Sequence, residues 1–172
     1  MALNTADELT EPFEWPDEGV TRVPFRLISD EEIYALEQQR IFKGPVWNYL
    51  CLEIEIPDPG DFKTTTVGEV PVIITRDENG AIHCMVNRCS HKGALVCLKE
   101  RGNANALTCV YHAWTYGLDG SLKGVAFKNG VGGKGGMPDD FDTADHSLPT
   151  LRVTTFCGMV FGTFSDATPP IE

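Results

Sequence analysis

The chain has 172 residues, of which 42% are hydrophobic and 23% are charged, and both fractions are typical of a soluble globular protein. Its formal net charge of −11 disfavours nucleic-acid and anionic-membrane partners, because both attract clustered lysine and arginine. Solubility is the ordinary reason for such a charge, and attraction to a basic face of a protein partner is the alternative.

The first 45 residues predict an irregular arm followed by one α-helix. Residues 1–28 contain scattered prolines without a sustained period, as expected of an arm that lies over another surface. Ser29 and Glu32 have the spacing of a capping box, which predicts a helix over residues 30–42 that ends before Gly44. The N-terminus has no secretory signal pattern, and no apolar run approaches the ~18 residues of a spanning helix. We therefore expect a cytoplasmic protein without a membrane partner.

Residues 46–166 predict mostly antiparallel β structure without an internal repeat. Asn79-Gly80 and Asp119-Gly120 are strong hairpin signals, because both pairs accept the positive φ angles of tight turns. The glycine-rich segment 128–138 predicts a surface loop, or a contact with another domain, and lacks the Lys-Ser or Lys-Thr pair of a phosphate loop. The predicted strands are 46–52, 62–67, 71–76, 81–87, 107–111, 114–117 and a long pair within 151–164.

Two short motifs carry the chemistry of the chain. The first is Cys89-Ser90-His91 and the second is Cys109-Val110-Tyr111-His112, so each supplies one thiolate and one imidazole. In a mixed-ligand [2Fe–2S] centre two thiolates hold one iron and two imidazoles hold the other, which two such loops can provide together. A tetrahedral zinc ion accepts the same four groups, although zinc sites usually pair cysteines and histidines in separate motifs. The spacing favours the iron–sulfur cluster and leaves a structural zinc site as the alternative.

The two motifs and their surroundings resemble the cluster loops of bacterial Rieske non-heme iron aromatic-ring-hydroxylating oxygenases. The similarity to the large, or alpha, subunits of this family extends over nearly the whole chain. Residues 39–50 and the glycine-rich segment resemble most closely the subgroup that acts on aromatic carboxylates, such as the terephthalate, anthranilate and salicylate enzymes. The residues that carry the resemblance are Cys89-Ser90-His91-Lys92-Gly93, Cys109-Val110-Tyr111-His112-Ala113-Trp114, Asn87-Arg88, Gly124-Val125-Ala126-Phe127, residues 135–138 and residues 156–162.

The resemblance implies an all-β fold, a Rieske-type antiparallel β-sandwich with a small cluster-binding subdomain whose two loops meet at one tip. Residues 1–45 would be the N-terminal arm and helix, residues 46–166 the Rieske [2Fe–2S] domain, and residues 167–172 the start of a linker to a catalytic domain. The implied cluster ligands are Cys89, His91, Cys109 and His112. Tyr111 and Trp114 are interpreted as a shield that keeps water from the cluster, with plain core aromatics as the alternative.

The resemblance also implies an electron path. Electrons would pass from NAD(P)H through a reductase, in some members also a ferredoxin, to this cluster. They would then reach a mononuclear Fe(II) in a neighbouring alpha subunit of a trimer, where O2-dependent hydroxylation of an aromatic substrate occurs. A beta subunit is a further implied partner, and no nucleic acid takes part.

The chain itself lacks the residues for the Fe(II) site. After His91 and His112 are assigned, only His83 and His146 remain, without the paired spacing of a two-histidine, one-carboxylate site. We therefore interpret the chain as the electron-transfer fragment of an oxygenase, with no catalytic residue of its own. A stand-alone Rieske ferredoxin is the alternative, and the N-terminal arm and helix count against it.

Two departures from the high-potential respiratory Rieske proteins predict a low reduction potential. Lys92-Gly93-Ala94 and Val110-Tyr111 stand where those proteins have a further cysteine in each loop, so a loop disulfide is not expected. Trp114 stands two positions after the second histidine, where those proteins carry a hydroxyl group that stabilises the reduced cluster. We expect a potential near the lower end of the Rieske range, about −150 mV.

The other cysteines and histidines are interpreted as structural. Cysteine behaves as a small hydrophobic side chain when it is buried in an apolar strand. A cluster that uses four ligands has no place for a fifth, which excludes the nearby Cys97. The residues predicted to be structural are Cys51, Cys84, Cys97 and Cys157, as small buried side chains, and His83 and His146, as ordinary histidines.

Overall fold

A computed structural model describes Trp15, Asp17 and residues 21–132 and 134–172. Most of the predicted N-terminal arm therefore lies outside the described residues. A one-turn helix α1 (Arg26–Ser29) precedes α2 (Glu31–Glu37), which continues as a π-helix over Gln38–Phe42. Single 3-10 turns lie at Glu53–Glu55 and Ala144–His146. In this described part of the chain, no helix has the length and apolar character needed to cross a membrane.

The predicted helix is present, but its N-cap is Asp30 rather than Ser29. Asp30 Oδ1 accepts hydrogen bonds from the backbone N–H groups two and three residues later, at 2.9 and 3.2 Å. The Ser29 hydroxyl instead donates to the carbonyl oxygen of Phe25 at 3.2 Å, within the preceding turn. The prediction was wrong by one residue because serine and aspartate are both good N-caps. The Arg26 guanidinium, 2.6 Å from Asp30 Oδ2, favours the aspartate.

Within the described residues, ten strands form two antiparallel sheets. The larger sheet has the strand order β1-β10-β9-β4-β3-β2-β5, and the smaller sheet has the order β6-β7-β8. β1 and β2 are also in contact, so the larger sheet curls back on itself. The strands are β1 (Asn48–Leu52), β2 (Asp61–Val67), β3 (Val70–Arg76), β4 (Ile82–Val86), β5 (Arg101–Asn103), β6 (Leu107–Thr108), β7 (Thr115–Tyr116), β8 (Leu122–Gly124), β9 (Thr150–Phe156) and β10 (Met159–Thr163).

The all-β prediction is confirmed, and both predicted hairpins are present. Gly80 turns the chain between β3 and β4, Gly120 turns it between β7 and β8, and each has a φ angle of +84°. Two strands, β5 and β8, were not predicted, because three residues are too few to show an alternating pattern. β6 and β7 have only two residues each, because the second motif lies directly between them.

Two hydrophobic cores lie on opposite faces of β3 and β4. Side chains alternate between the two faces of a strand, so Ile73 and Met85 enter one core while Val72, Ile74 and Cys84 enter the other. The second core fills the curl of the larger sheet. The first core packs the larger sheet against the smaller sheet and both motif loops, and its members include Phe62, Cys89, Leu107, Cys109, Trp114, Tyr116 and Leu148. Burial of this core therefore fixes the position of both motifs.

Asp77 organises the turn between β3 and β4. Its Oδ1 atom accepts hydrogen bonds from the backbone N–H groups of Asn79 and Ala81, both at 2.9 Å. Its Oδ2 atom lies 2.9 Å from Nε2 of His83. This hydrogen bond from His83 is the main reason that the pKa of the Asp77 carboxyl lies below its usual value. His83 is thus satisfied within its own hairpin, as the sequence predicted for an ordinary histidine.

Replacing Asp77 with asparagine is expected to destabilise the protein at neutral pH and to have little effect in acid. Folding lowers the pKa of Asp77, so its carboxylate contributes stability above the unfolded-state pKa. That contribution is lost as the pH falls through the lower folded-state pKa. Urea unfolding measures the difference in free energy of unfolding between wild type and Asp77→Asn. The measurement is made at neutral pH and again at a pH well below the carboxyl pKa. An equal difference in free energy of unfolding at both pH values would contradict the expectation.

Candidate metal centre

The first motif loop follows β4 and is closed by its own backbone. The Cys89 N–H donates to the Ala94 carbonyl at 2.8 Å, and the Gly93 N–H donates to the Cys89 carbonyl at 2.8 Å. Gly93 has a φ angle of +73°, which glycine adopts without strain. Beyond the loop, Asn87 Oδ1 accepts hydrogen bonds from the backbone N–H groups of residues 96 and 97 at 3.0 and 2.9 Å. These bonds fix the loop relative to the end of β4.

The second motif loop repeats the same backbone arrangement between β6 and β7. The Cys109 N–H donates to the Trp114 carbonyl at 2.9 Å, and the Ala113 N–H donates to the Cys109 carbonyl at 3.0 Å. Ala113 has a φ angle of +55°, which is unfavourable for a residue with a Cβ atom. Both cysteines therefore begin the same closed turn. The histidine is the third residue of the first turn and the fourth residue of the second.

The two loops bring the two predicted histidine ligands together and place both predicted cysteine ligands in the same core. Cys89 and Cys109 are 4% and 2% exposed, so both thiols lie on the protein side of the tip. The ring centroids of His91 and His112 are 4.7 Å apart, and the two rings are inclined at 75°. His91 is half-buried, while His112 is exposed. The two thiols are therefore buried, whereas the two imidazole rings lie nearer the surface.

The donor set fits a mixed-ligand [2Fe–2S] cluster. Nδ1 of His91 is buried and has no hydrogen-bond partner, which is rare for a ring nitrogen unless it binds a metal. Burial lowers the pKa of His91, with smaller contributions from His112 and Lys92, which favours the neutral ring that ligates metals. Among the described residues, no three His, Cys, Asp or Glu side chains are grouped as they would be around one metal ion. A [2Fe–2S] cluster needs only two protein side chains at each iron.

Trp114 and Tyr111 lie against different histidines. Trp114 is buried, and its indole ring stacks on the His91 ring with a centroid distance of 4.8 Å and an angle of 11°. Tyr111 is 61% exposed, and its ring centroid is 3.8 Å from that of His112. Trp114 is therefore in a position to exclude water from His91, whereas Tyr111 lies at the outer surface of the tip.

Tyr116 on β7 contacts the site, although it was not predicted to do so from the sequence. Its hydroxyl oxygen accepts a hydrogen bond from the Ser90 N–H at 3.1 Å and lies 3.1 Å from Cys89 Sγ. Either atom could donate in the contact with the sulfur, but a thiolate that ligates iron carries no proton, so in the cluster-bound chain the hydroxyl would be the donor. Burial, followed by the hydrogen bond with Cys89, raises the pKa of Tyr116 to about 12, so the hydroxyl keeps its proton at neutral pH. The sequence signal that could have identified this contact is the position of the tyrosine, two residues after Trp114 on the strand that follows the second motif loop.

His146 was predicted to be an ordinary loop histidine, but it borders the site. Its ring stacks on Phe141 at 4.5 Å and meets the Trp114 ring edge-on at 5.6 Å. Phe141 also meets Trp114 edge-on at 5.7 Å, and Lys128 Nζ lies 5.7 Å from the Phe141 centroid. The segment after the glycine-rich loop thus covers the outer side of Trp114. A surface cavity of about 420 Å³ lies here, lined by Ser90, His91, Trp114, Phe141, His146 and three aspartates, Asp140, Asp142 and Asp145.

The other four cysteines lie outside the two motif loops, although Cys97 packs against the core that contains Cys89 and Cys109, and all six cysteines of the chain are unpaired. Cys51 and Cys84 are buried, as predicted, and burial raises the pKa of both thiols, that of Cys51 to about 11. Cys97 is only partly buried. The prediction was wrong for Cys157, which is exposed in the two-residue turn between β9 and β10 with a φ angle of +51°. Its apolar neighbours in sequence belong to the strands on either side of this turn.

Comparison with known proteins agrees with this geometry. Residues 46–132 match the family model described as "Rieske [2Fe-2S] domain". The chain is 51% identical over 157 residues to the anthranilate 1,2-dioxygenase large subunit of Burkholderia cepacia, covering 91% of this chain and 37% of that protein. It is 50% identical over 159 residues to the terephthalate 1,2-dioxygenase terminal oxygenase component subunit alpha 2 of a Comamonas species, covering 92% and 38%.

A solved structure shows the same fold. The structure of naphthalene 1,2-dioxygenase with indole bound in the active site superposes with a TM-score of 0.77 at 33% identity, covering 85% of this chain and 32% of that one. The chain thus spans less than two-fifths of the length of each of these three proteins. The expected resemblance to the large subunits of ring-hydroxylating oxygenases, including those named for aromatic carboxylates, is confirmed. On the match of residues 46–132, together with the paired Cys/His loops, the chain belongs to the Rieske [2Fe–2S] domain family.

Proposed function

We propose that this chain transfers single electrons through a Rieske [2Fe–2S] cluster held by Cys89, Cys109, His91 and His112. The observation that carries the proposal is the contact between the His91 and His112 rings, with a buried and unpartnered Nδ1 atom on His91, beside a core that contains both Cys89 and Cys109. When bound, the cluster supplies one-electron reduction and oxidation. The cysteines would hold one iron and the histidines the other, as the mixed-ligand cluster requires.

Different surrounding residues support different parts of the site. The two closed backbone turns orient the two cysteines. Trp114 excludes water on the His91 side, and Tyr116 would donate a hydrogen bond to the ligating sulfur of Cys89. His112 is exposed and lies beside the exposed Tyr111, so the second loop offers the short path to a protein partner. In this arrangement the core keeps water away from the thiolates, while the imidazole of His112 is exposed at the surface.

We further propose the parent system in which this domain works. Residues 46–166 would be the electron-transfer domain, residues 1–45 an arm and helix, and residues 167–172 the start of the linker to a catalytic domain. The relatives, which are more than twice as long, support a parent that hydroxylates an aromatic substrate, with an aromatic carboxylate as the favoured class. The proposed partners are a reductase or ferredoxin donor, a neighbouring alpha subunit with its Fe(II) in a trimer, and a beta subunit. The proposed location is the cytoplasm.

The ligand assignment is tested by EPR spectroscopy of the dithionite-reduced chain together with iron and acid-labile sulfide analysis. We expect about two irons and two sulfides per chain and the rhombic signal of a mixed-ligand cluster. His91→Ala and His112→Ala are expected to abolish the signal, because each removes a ligand. His83→Ala is the matched control, since His83 bonds only within its hairpin, and it should retain the signal.

Two outcomes would contradict the proposal. A colourless protein with one zinc per chain would replace the electron-transfer function with a structural metal site. A signal that survives both ligand substitutions would move the ligands to other residues. In either case the fold would stand and the assignment of the four side chains would fail.

A further inference from the structure

The two motif loops are held at their bases by different contacts. The second loop lies between β6 and β7, whose pairing brings Thr108 opposite Thr115, and the hydroxyl oxygens of these threonines are 3.1 Å apart. The first loop follows β4, which pairs with β3 and β9, so the segment that returns from this loop has no place beside β4 as a strand. Val96 in this returning segment is nevertheless buried, and a buried backbone N–H needs a partner.

The side chain of Asn87 supplies the hydrogen bonds of the returning segment. Its Oδ1 atom accepts from the backbone N–H groups of Val96 and Cys97 at 3.0 and 2.9 Å, and its Nδ2 atom donates to the Cys97 carbonyl oxygen at 2.8 Å. Two N–H groups require an acceptor, so these neighbours determine which end of the amide is the oxygen. One amide group thus satisfies three backbone groups, as a neighbouring strand would.

Asn87 is fixed on its other side by the larger sheet. It is 3% exposed, and its own N–H donates to the carbonyl oxygen of Pro71 on β3 at 2.8 Å. Cys89 follows two positions later in the chain, and Val96 packs in the same core as Cys89. The first loop is therefore held by Asn87 both where it leaves β4 and where it returns. His91 lies between these two points, so its position depends on both.

The size of the asparagine does not account for this arrangement. An apolar side chain of similar volume would fill the space but would leave the buried N–H of Val96 without an acceptor. Buried polar groups that are fully satisfied make a structure rigid and specify one conformation. A loop that must present two metal ligands in a fixed geometry has a use for such rigidity.

We propose that Asn87 is a positioning residue for the first ligand pair, Cys89 and His91, and replaces for the first motif loop the strand pairing that holds the second. This inference rests on the proposed electron-transfer function and adds a residue that acts on the site without binding metal. Its effect is confined to the first loop. His112 is carried by the loop between β6 and β7, so its geometry is independent of Asn87.

The test compares Asn87→Ala with Asn48→Ala as the matched control. The Asn48 side chain also joins separate backbone segments, because its Nδ2 atom lies 3.1–3.4 Å from the carbonyl oxygens of Phe42, Val46 and Gly162. These partners belong to the end of the helix and to the neighbourhood of β1 and β10, not to the motif loops. Both variants therefore lose an amide that joins parts of the fold, and only one of them acts on the metal centre.

Two measurements are made on the cluster-loaded chains. Pulsed EPR of the reduced cluster resolves the nitrogen couplings of the two ligating histidines, which depend on how each ring is oriented at its iron. Hydrogen exchange followed by mass spectrometry at residue resolution measures the protection of the Val96 and Cys97 amides. Neither readout depends on catalytic activity.

In the wild type, the Val96 and Cys97 amides should exchange about a hundredfold more slowly than the amide of the exposed Lys92. In Asn87→Ala both amides should exchange about tenfold faster than in the wild type, because their acceptor is gone. The nitrogen coupling of one histidine should shift, while that of the other keeps its wild-type value. Asn48→Ala should lower the stability of the fold and leave both couplings and both amides unchanged.

Either of two results would overturn the positioning role. The first is an Asn87→Ala chain in which both nitrogen couplings are unchanged or both shift equally. The second is a wild type whose Val96 and Cys97 amides exchange as fast as that of Lys92, and this result decides the question even if Asn87→Ala does not fold. A rhombic EPR signal from the reduced wild type would show that the electron-transfer function survives either result. Without that signal, the function and the inference that rests on it are both contradicted.

Discussion

Replacing Trp114 with alanine is expected to lower the free energy of unfolding by about 3–5 kcal/mol, the usual range for deleting a buried indole. Trp114 is only 3% exposed and touches the rings of His91, Phe141 and His146. Its loss would leave a cavity that these three rings cannot fill while they stay in place. The same cavity would admit water to His91, so the bound cluster should also be lost faster. Thermal unfolding and the decay of visible absorbance in air measure the two effects.

Trp47→Ala is the matched control for this substitution. Trp47 is partly exposed, donates its Nε1 hydrogen to the Pro169 carbonyl at 2.7 Å and lies 5.5 Å from the Arg152 guanidinium. It has no ring contact with the metal centre, so its removal should destabilise the fold less and leave the rate of cluster loss unchanged. Trp114→Phe should retain much of the shielding. If both alanine variants lost the cluster at the same rate, the shielding role of Trp114 would have to be abandoned.

Replacing Tyr116 with phenylalanine is expected to lower the reduction potential of the cluster by about 20–60 mV. The Tyr116 hydroxyl lies 3.1 Å from Cys89 Sγ and would donate to it once the sulfur is a thiolate ligand, and such a bond stabilises the reduced cluster because reduction adds negative charge to the sulfur ligands. A net hydrogen-bond contribution of about 0.5–1.5 kcal/mol corresponds to that shift for a one-electron couple, at about 59 mV per tenfold change in equilibrium constant. Potentiometric titration followed by EPR measures it.

Tyr34→Phe provides the control for loss of a tyrosine hydroxyl. Tyr34 donates to Glu69 at 3.0 Å, on the helix rather than at the metal centre, so its removal should leave the potential unchanged. Ser90 is exposed, so water can replace the acceptor that its N–H loses in Tyr116→Phe. A potential that is the same in Tyr116→Phe and wild type would show that the hydroxyl does not reach the ligand sulfur. The expected potential of about −150 mV for the wild type remains a prediction, and the Tyr116 bond acts to raise it.

Structural features with a local sequence signal were predicted correctly. Alternating apolar residues predicted the long strands, Asn79-Gly80 and Asp119-Gly120 predicted two turns, and the Cys/His spacing predicted the two loops that meet at the tip. The strands that were not predicted are held by pairing with distant segments. β5, with the sequence Arg-Gly-Asn, has no apolar pattern and exists because it pairs with β2.

The missed contacts at the site have the same origin. The Tyr116 hydroxyl reaches a sulfur 27 positions earlier in the chain, and His146 reaches Trp114 across the glycine-rich segment. Neither contact leaves a spacing that can be recognised in one sequence. The exposed position of Cys157 was missed for a related reason, because its apolar neighbours belong to two different strands that separate at the turn.

The duplicated backbone turn around the two cysteines has a consequence for assembly of the site. Each turn is closed by hydrogen bonds within its own segment, one attached to the seven-stranded sheet and the other to the three-stranded sheet. Neither sheet carries all four ligand side chains. Metal binding would therefore cross-link the two sheets at the tip, in addition to the hydrophobic core that already packs them together, so loss of metal should lower the stability of both sheets at once.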